Sequence, residues 1–136
     1  MLKGVLQKVT SSEVSPKKIL IADDSETVRK VVRRVFEHET DFKICGEASD
    51  GVEALAMAKQ LSPDLILLDM KMPRLTGLEV AGILRYTQPK VRIMIVTMYA
   101  EELSKNLMSL FGVDAVFSKS EGVTKLIERV ENLLAA

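Results

Sequence analysis

Pro63-Asp64-Leu65-Ile66-Leu67-Leu68-Asp69-Met70-Lys71-Met72-Pro73 is the stretch on which the fold turns. Four apolar residues, Leu65 to Leu68, run without a polar break and stop at a carboxylate. A run of that length, closed by turn signals, suits a strand buried on both faces, as in a parallel sheet. Pro63 and Pro73 bracket it. Neither fits inside a central strand, because proline has no N–H to give to the ladder. Asp69 therefore falls where the strand leaves the core. In open α/β sheets, ligands bind outside the carboxyl ends of the strands. Asp69 is then either a functional carboxylate at a strand tip or the cap of a turn or helix, and this stretch alone leaves both open.

Working outward, the same grammar repeats. Ile19 to Ala22 reads as a first strand ending on Asp23-Asp24, with Ser25 as the N-cap of a helix. Val28, Val31, Val32, Val35 and Phe36 then make a helical core stripe, with Lys30, Arg33 and Arg34 on the other side. His38 closes that helix as a C-terminal charge complement or a solvated side chain. Phe42 to Ala48 reads as a second strand, Asp50-Gly51 as a turn, and Val52 to Leu61 as an alanine-rich helix. After Pro73, Thr76-Gly77 opens a third helix that ends before Pro89. Arg92 to Thr97 is a fourth strand, and a fourth helix is expected from Glu101 to Phe111, stopped by Gly112. Ala115 to Ser118 is a short fifth strand ending on Lys119. Val123, Leu126, Ile127, Val130, Leu133 and Leu134 stripe the last helix. Strict strand–helix alternation calls for an α/β fold, a parallel sheet of five strands with helices on both faces.

Residues 1–16 stand apart as an N-terminal extension to a domain spanning residues 17–136. Leu2, Val5, Leu6 and Val9 recur at helical spacing, while Gly4 weakens a helix there. The segment reads either as a packing or dimerisation arm or as a frayed terminus, joined by a Thr10-Ser11-Ser12 linker.

Composition narrows the class. With 136 residues, 47% hydrophobic and 28% charged, the chain is one globular domain. Lys+Arg and Asp+Glu each number 19, so zero net charge gives no general pull toward nucleic acid or a membrane surface. No apolar stretch is long enough to span a bilayer, and the N-terminus lacks a signal-peptide core. The lone Cys45 lies in an apolar run and reads as a structural thiol. A cytoplasmic location is the expectation.

The strand tips carry the chemistry. Strand one ends at Asp23 and Asp24, strand three at Asp69, strand four at Thr97 and strand five at Lys119. Parallel strands bring these tips to one edge. Converging carboxylates repel unless a cation sits among them. An all-oxygen donor set selects a hard ion such as Mg²⁺, which keeps waters and phosphate oxygens in its shell. A hydroxyl and an ammonium add what an anionic phosphoryl group needs, and aspartate is a covalent phosphoryl acceptor.

At these residues the chain resembles the receiver domain of two-component response regulators. The matching pieces are Ile19 to Ser25, Asp50-Gly51-Val52-Glu53-Ala54-Leu55, Asp64 to Pro73, Thr76-Gly77, Ile95-Val96-Thr97 and Ser118-Lys119. The resemblance implies a doubly wound, flavodoxin-like sheet of strand order 2-1-3-4-5. It implies Asp69 as phosphoacceptor, and Mg²⁺ held by Asp69, by Asp24 directly, by Asp23 through water and by the backbone carbonyl of Lys71. Thr97 and Lys119 would contact the phosphoryl group. The chain would then be a phosphorylatable switch rather than a conventional enzyme. It would be loaded by a histidine kinase, a phosphotransfer protein or a small donor such as acetyl phosphate. The signal would leave through the surface of the fourth helix, fifth strand and fifth helix. The recipient would be a downstream protein or an output domain absent from this chain, and a homodimer on phosphorylation is compatible with it. Direct nucleic-acid binding by this chain is not expected. By the same resemblance, Arg29, Lys30 and Arg33 are candidate kinase-docking residues.

Three departures from the family pattern stand out. Val116 occupies the place of a frequent switch aromatic, with Phe117 next to it and Tyr99 as a candidate substitute. Ser120 follows the lysine where proline is common, and the peptide there is often cis in the family. Thr97-Met98-Tyr99 looks like the branch that carries helix-turn-helix output domains. Lys71 and Tyr99, each two residues past a site residue, either crowd attacking water and prolong the aspartyl phosphate or simply face solvent. Competing readings fare worse. An interaction module with no phosphorylation has no use for the acid pair, Thr97 and Lys119. An aspartyl phosphatase usually has a second acid where this chain has Lys71. A flavin carrier would meet repulsion from the carboxylate edge.

Overall fold

The computed structural model describes residues 15–135, so the stripe of Leu2, Val5, Leu6 and Val9 lies outside the described residues. Strands β1 (Lys18–Ala22), β2 (Lys43–Ala48), β3 (Leu65–Asp69), β4 (Arg92–Thr97) and β5 (Ala115–Ser118) form one sheet. Helices α1 (Glu26–Glu39), α2 (Gly51–Leu61), α3 (Gly77–Thr87), α4 (Lys105–Leu110) and α5 (Val123–Ala135) alternate with them. The strand order is β2-β1-β3-β4-β5, and every pairing is parallel. This is the order that the resemblance implies. All five residues of β3 are buried, as an unbroken apolar run at the centre of a sheet requires.

Side chains alternate along each strand, and the core divides accordingly. Ile19 and Ile21, with Leu65 and Leu67, pack beneath α1 and α5. Leu20 and Ala22, with Ile66 and Leu68, pack beneath α2, α3 and α4. The α1 stripe delivers Val32 and Phe36 to the first layer, and α5 delivers Leu126, Ile127 and Val130.

Local chemistry sets the helix starts. Ser25 Oγ accepts from the Val28 amide at 3.2 Å. Asp50 is an N-cap rather than part of a free turn, its carboxylate accepting from the Glu53 amide at 2.8 Å, so α2 begins at Gly51. Thr76 and Glu79 form a reciprocal capping box at the head of α3. Gly77 is required there by a close approach. A Cβ at that position would stand 2.5 Å from the Asp69 carbonyl oxygen, so only glycine lets α3 start against the strand tip.

One expectation fails. The segment expected as a single helix from Glu101 to Phe111 is instead a 3₁₀ turn, Ala100–Glu102, and the six-residue α4. Leu103 is extended, and Ser104 Oγ accepts from the Leu107 amide at 3.1 Å. A serine that bonds the backbone ahead of it starts a helix rather than continuing one. Gly112 does stop α4, at φ 71°. The Val113 amide reaches Met108 O at 2.9 Å and the Gly112 amide reaches Ser109 O at 3.2 Å, a complete Schellman closure. Every peptide among the described residues is trans, Lys119–Ser120 included.

Candidate functional site

Asp23, Asp69, Thr97 and Lys119 each stand where a strand runs out. Asp23 follows β1 and is 4% exposed. Its amide donates to Ala48 O at 3.0 Å, its carbonyl accepts from Arg29 Nη1 at 2.6 Å, and its Oδ1 accepts from the Ser25 amide at 2.8 Å. Held at three points, Asp23 has one carboxylate oxygen left to face the sheet edge. Asp69, the last residue of β3, is 8% exposed, and Asp24 is exposed. Oxygens of the three carboxylates lie within 4.8 Å of one another.

Lys119 enters this cluster from the end of β5. Its Nζ donates to Asp23 Oδ2 at 2.9 Å and to Asp69 Oδ1 at 3.3 Å. Burial pushes the Asp69 carboxyl above the ordinary aspartate range, and the Asp23 charge adds to that push against the opposing pull of Lys119. Burial works to lower Lys119, but the hydrogen bond it donates to Asp23 and the charges of Asp69 and Asp23 outweigh it, and its affinity for its proton rises. One ammonium thus offsets part of the charge of a three-carboxylate cluster. The donors are all oxygen and closely spaced, the set that a small hard cation selects.

Thr97 closes β4 and is 2% exposed. Its hydroxyl accepts from the Tyr99 amide at 3.1 Å, within its own loop. Lys71 is exposed on the β3–α3 loop, and its ammonium stands 4.3 Å from the centroid of the Tyr99 ring, a cation–π contact joining two loops at the sheet edge. Val116 is half-buried on the α4 side of the sheet. Phe117 is buried on the opposite side, under α1 and α5, so its ring cannot replace an aromatic at Val116.

The structure revises two surface readings. Arg29 and Arg33 are not free surface charges, because both bind Glu47 of β2, at 3.1 Å and 2.6 Å. Only Lys30 of that trio pairs in the open, with Glu26. Arg29 is a positioning residue that sequence reading missed, since it grips the carbonyl of Asp23. The one available signal was Glu47, the lone acid of β2. His38 is exposed in the last turn of α1, and the Cys45 thiol donates to Ile19 O at 3.5 Å.

Comparison with known proteins now bears on this arrangement. The model for the response regulator receiver domain matches residues 19–131. The chain belongs to the response regulator receiver family. This receiver domain is 28% identical to the response regulator GacA of Pseudomonas aeruginosa, over 87% of the chain and 55% of that protein. It is also 28% identical to a protein-glutamate methylesterase/protein-glutamine glutaminase of Pyrococcus horikoshii, over 88% of the chain and 33% of that protein. The chain thus spans about a third to a half of the length of these curated relatives. Among solved structures, the Thermotoga maritima response regulator TrrA, in complex with Mg²⁺-BeF, superposes with a TM-score of 0.77 at 32% identity, covering 86% of this chain and 98% of that one. Receiver domains are signalling domains whose general function is phosphorylation on aspartate, and they interact with histidine kinases or phosphotransfer proteins. No described helix is long and apolar enough to cross a membrane.

Proposed function

We propose that Asp69 is the aspartate on which this receiver is phosphorylated. The observation that carries the reading is Lys119 Nζ, bonded at once to Asp23 and Asp69, with Asp24 in the same cluster. A carboxylate oxygen of Asp69 attacks phosphorus, the bond from phosphorus to the donor's nitrogen or oxygen breaks, and the donor leaves with that electron pair. Asp23, Asp24, Asp69 and the Lys71 carbonyl would hold Mg²⁺, which supplies charge neutralisation at the phosphoryl oxygens. Lys119 offers one oxygen an ammonium. Thr97 contributes a hydroxyl whose proton is free to donate while its oxygen accepts from Tyr99. Positioning and charge stabilisation are what phosphoryl transfer requires of a protein.

The protein donor would be a histidine kinase or phosphotransfer protein. Output would leave by α4, β5 and α5, through a shift between conformations that the new charge biases. The test is intact mass after incubation with acetyl phosphate and Mg²⁺. One base-labile phosphoryl group is expected, absent in Asp69→Ala and in metal-free buffer. Labelling that persists in Asp69→Ala would move the acceptor elsewhere.

A further inference from the structure

One apolar surface remains after the phosphoryl site is accounted for. A groove of about 230 Å³ lies between α1 and α5. Val28 and Val31 wall it on α1, Val123 and Leu126 on α5, Phe117 lines it from β5, and Lys119 is also among its lining residues. Val31 is 47% exposed, unusual for a valine within a helix's apolar stripe. At the other end of the same two helices, Ser15 lines a cleft with His38, Phe42 and Glu131. The described chain thus begins near the opposite ends of the two helices that wall the groove.

Fourteen residues precede Ser15. Leu2, Val5, Leu6 and Val9 fall on one helical face, with Lys3, Gln7 and Lys8 on the other. A helix of that length is marginal in water and needs a surface on which to bury its apolar side. The spans agree. Val31 lies seven residues before His38, about 10 Å along a helix axis. Residues 10–14 reach up to about 17 Å when extended. We propose that the stripe of Leu2, Val5, Leu6 and Val9 docks within the same molecule, in the groove between α1 and α5.

A disulfide trap in the full chain tests the docking without reference to phosphorylation. In a Cys45→Ser background, Leu6→Cys and Val31→Cys are oxidised in dilute solution, with and without Leu2→Asp and Val5→Asp. The intact stripe should cross-link within the monomer about tenfold faster than the broken one, at a rate independent of protein concentration, because docking raises the local concentration above that of the tether. Equal rates would overturn the proposal, since the tether alone would then explain them. So would a dimeric product whose rate grows with concentration, which would assign the groove to a second copy. A second measurement avoids the engineered cysteines. The methyl resonances of Val28, Val31 and Val123 should shift in full-length Leu6→Asp, and unmoved resonances would overturn docking.

Discussion

Helices α1 and α5 on one face of the sheet, and α4 on the other, are anchored to different depths. On one, α1 and α5 bring fourteen and thirteen residues, with Phe36 and Val130 fully buried among them. On the other, α4 has six residues and none is buried. It leans on the core only through half-buried side chains such as Leu107 and Met108. Most helical stability comes from a buried apolar face rather than from propensity. Segments with few buried contacts open before the rest. Helix α4 is therefore the loosely held element, set beside α2 and α3, which do reach the core, and it adjoins the strand that ends in Thr97. A change of charge at Asp69 has its softest neighbour on that side.

The largest test of this contrast is truncation in α1 and in α4. Phe36→Ala should cost about 3–5 kcal/mol, the usual range for a buried phenylalanine. Leu107→Ala should cost about 1 kcal/mol, because much of that side chain already meets water. Urea unfolding of both variants measures the gap. Equal losses would mean that α4 is as firmly held as α1.

Charge at the site is the next lever. Asp69 holds its proton more tightly in the fold than a free aspartate does, through burial and the nearby Asp23 carboxylate. By linkage, the folded state gains on the unfolded state when Asp69 is protonated. Stability is therefore lost as pH rises from the ordinary carboxylate range through the raised value. Asp69→Asn removes that penalty at neutral pH. Two like charges 4 Å apart cost about 1 kcal/mol in water and about 4 kcal/mol at an effective dielectric of 20. In metal-free buffer at pH 7 the variant should therefore melt higher by about 4 °C or more, and its advantage should shrink as pH falls. Thermal melts across pH, with and without Mg²⁺, read this out. A variant that melts lower at pH 7 would show that Lys119 more than neutralises the cluster.

The loop into α4 supplies a smaller test. Tyr99 is tied to Thr97 by its amide and to Lys71 through its ring. If that pair screens the phosphorylated aspartate from water, Lys71→Asn with Tyr99→Glu should speed phosphate loss about tenfold, worth 1.4 kcal/mol of barrier. An unchanged decay rate would leave the pair as loop packing alone.

Legibility in the sequence follows the same division. The strand tips were readable because each apolar run stops on a polar residue, and parallel strands then bring Asp23, Asp24, Asp69 and Lys119 together without further information. The long helices were readable because their stripes repeat over three turns or more. Arg29 was not, because a charge on an amphipathic helix looks solvated until its partner is known, and Glu47 lies on another element. The break before α4 was hidden too. Leu103 and Leu107 keep helical spacing across Ser104, and periodicity cannot register a side chain that caps the backbone in the middle of the stripe.

Ser104 therefore offers the finest test of the contrast. Its hydroxyl satisfies one orphan amide of a helix with no fully buried residue, so the cap is a large share of what holds α4 in place. Ser104→Ala should cost about 1 kcal/mol, the usual value of a lost serine cap. That loss lowers local and global stability alike, so hydrogen exchange of the Leu107 and Met108 amides should quicken about fivefold. The test of the contrast is the level from which they start. In the parent, their opening free energy should lie below the global value from urea unfolding, while that of the Phe36 amide should match it. Equal values for both would mean that the α4 amides exchange only when the whole domain unfolds. In that case α4 and α1 belong to one cooperative unit, and α4 is loose only in its packing.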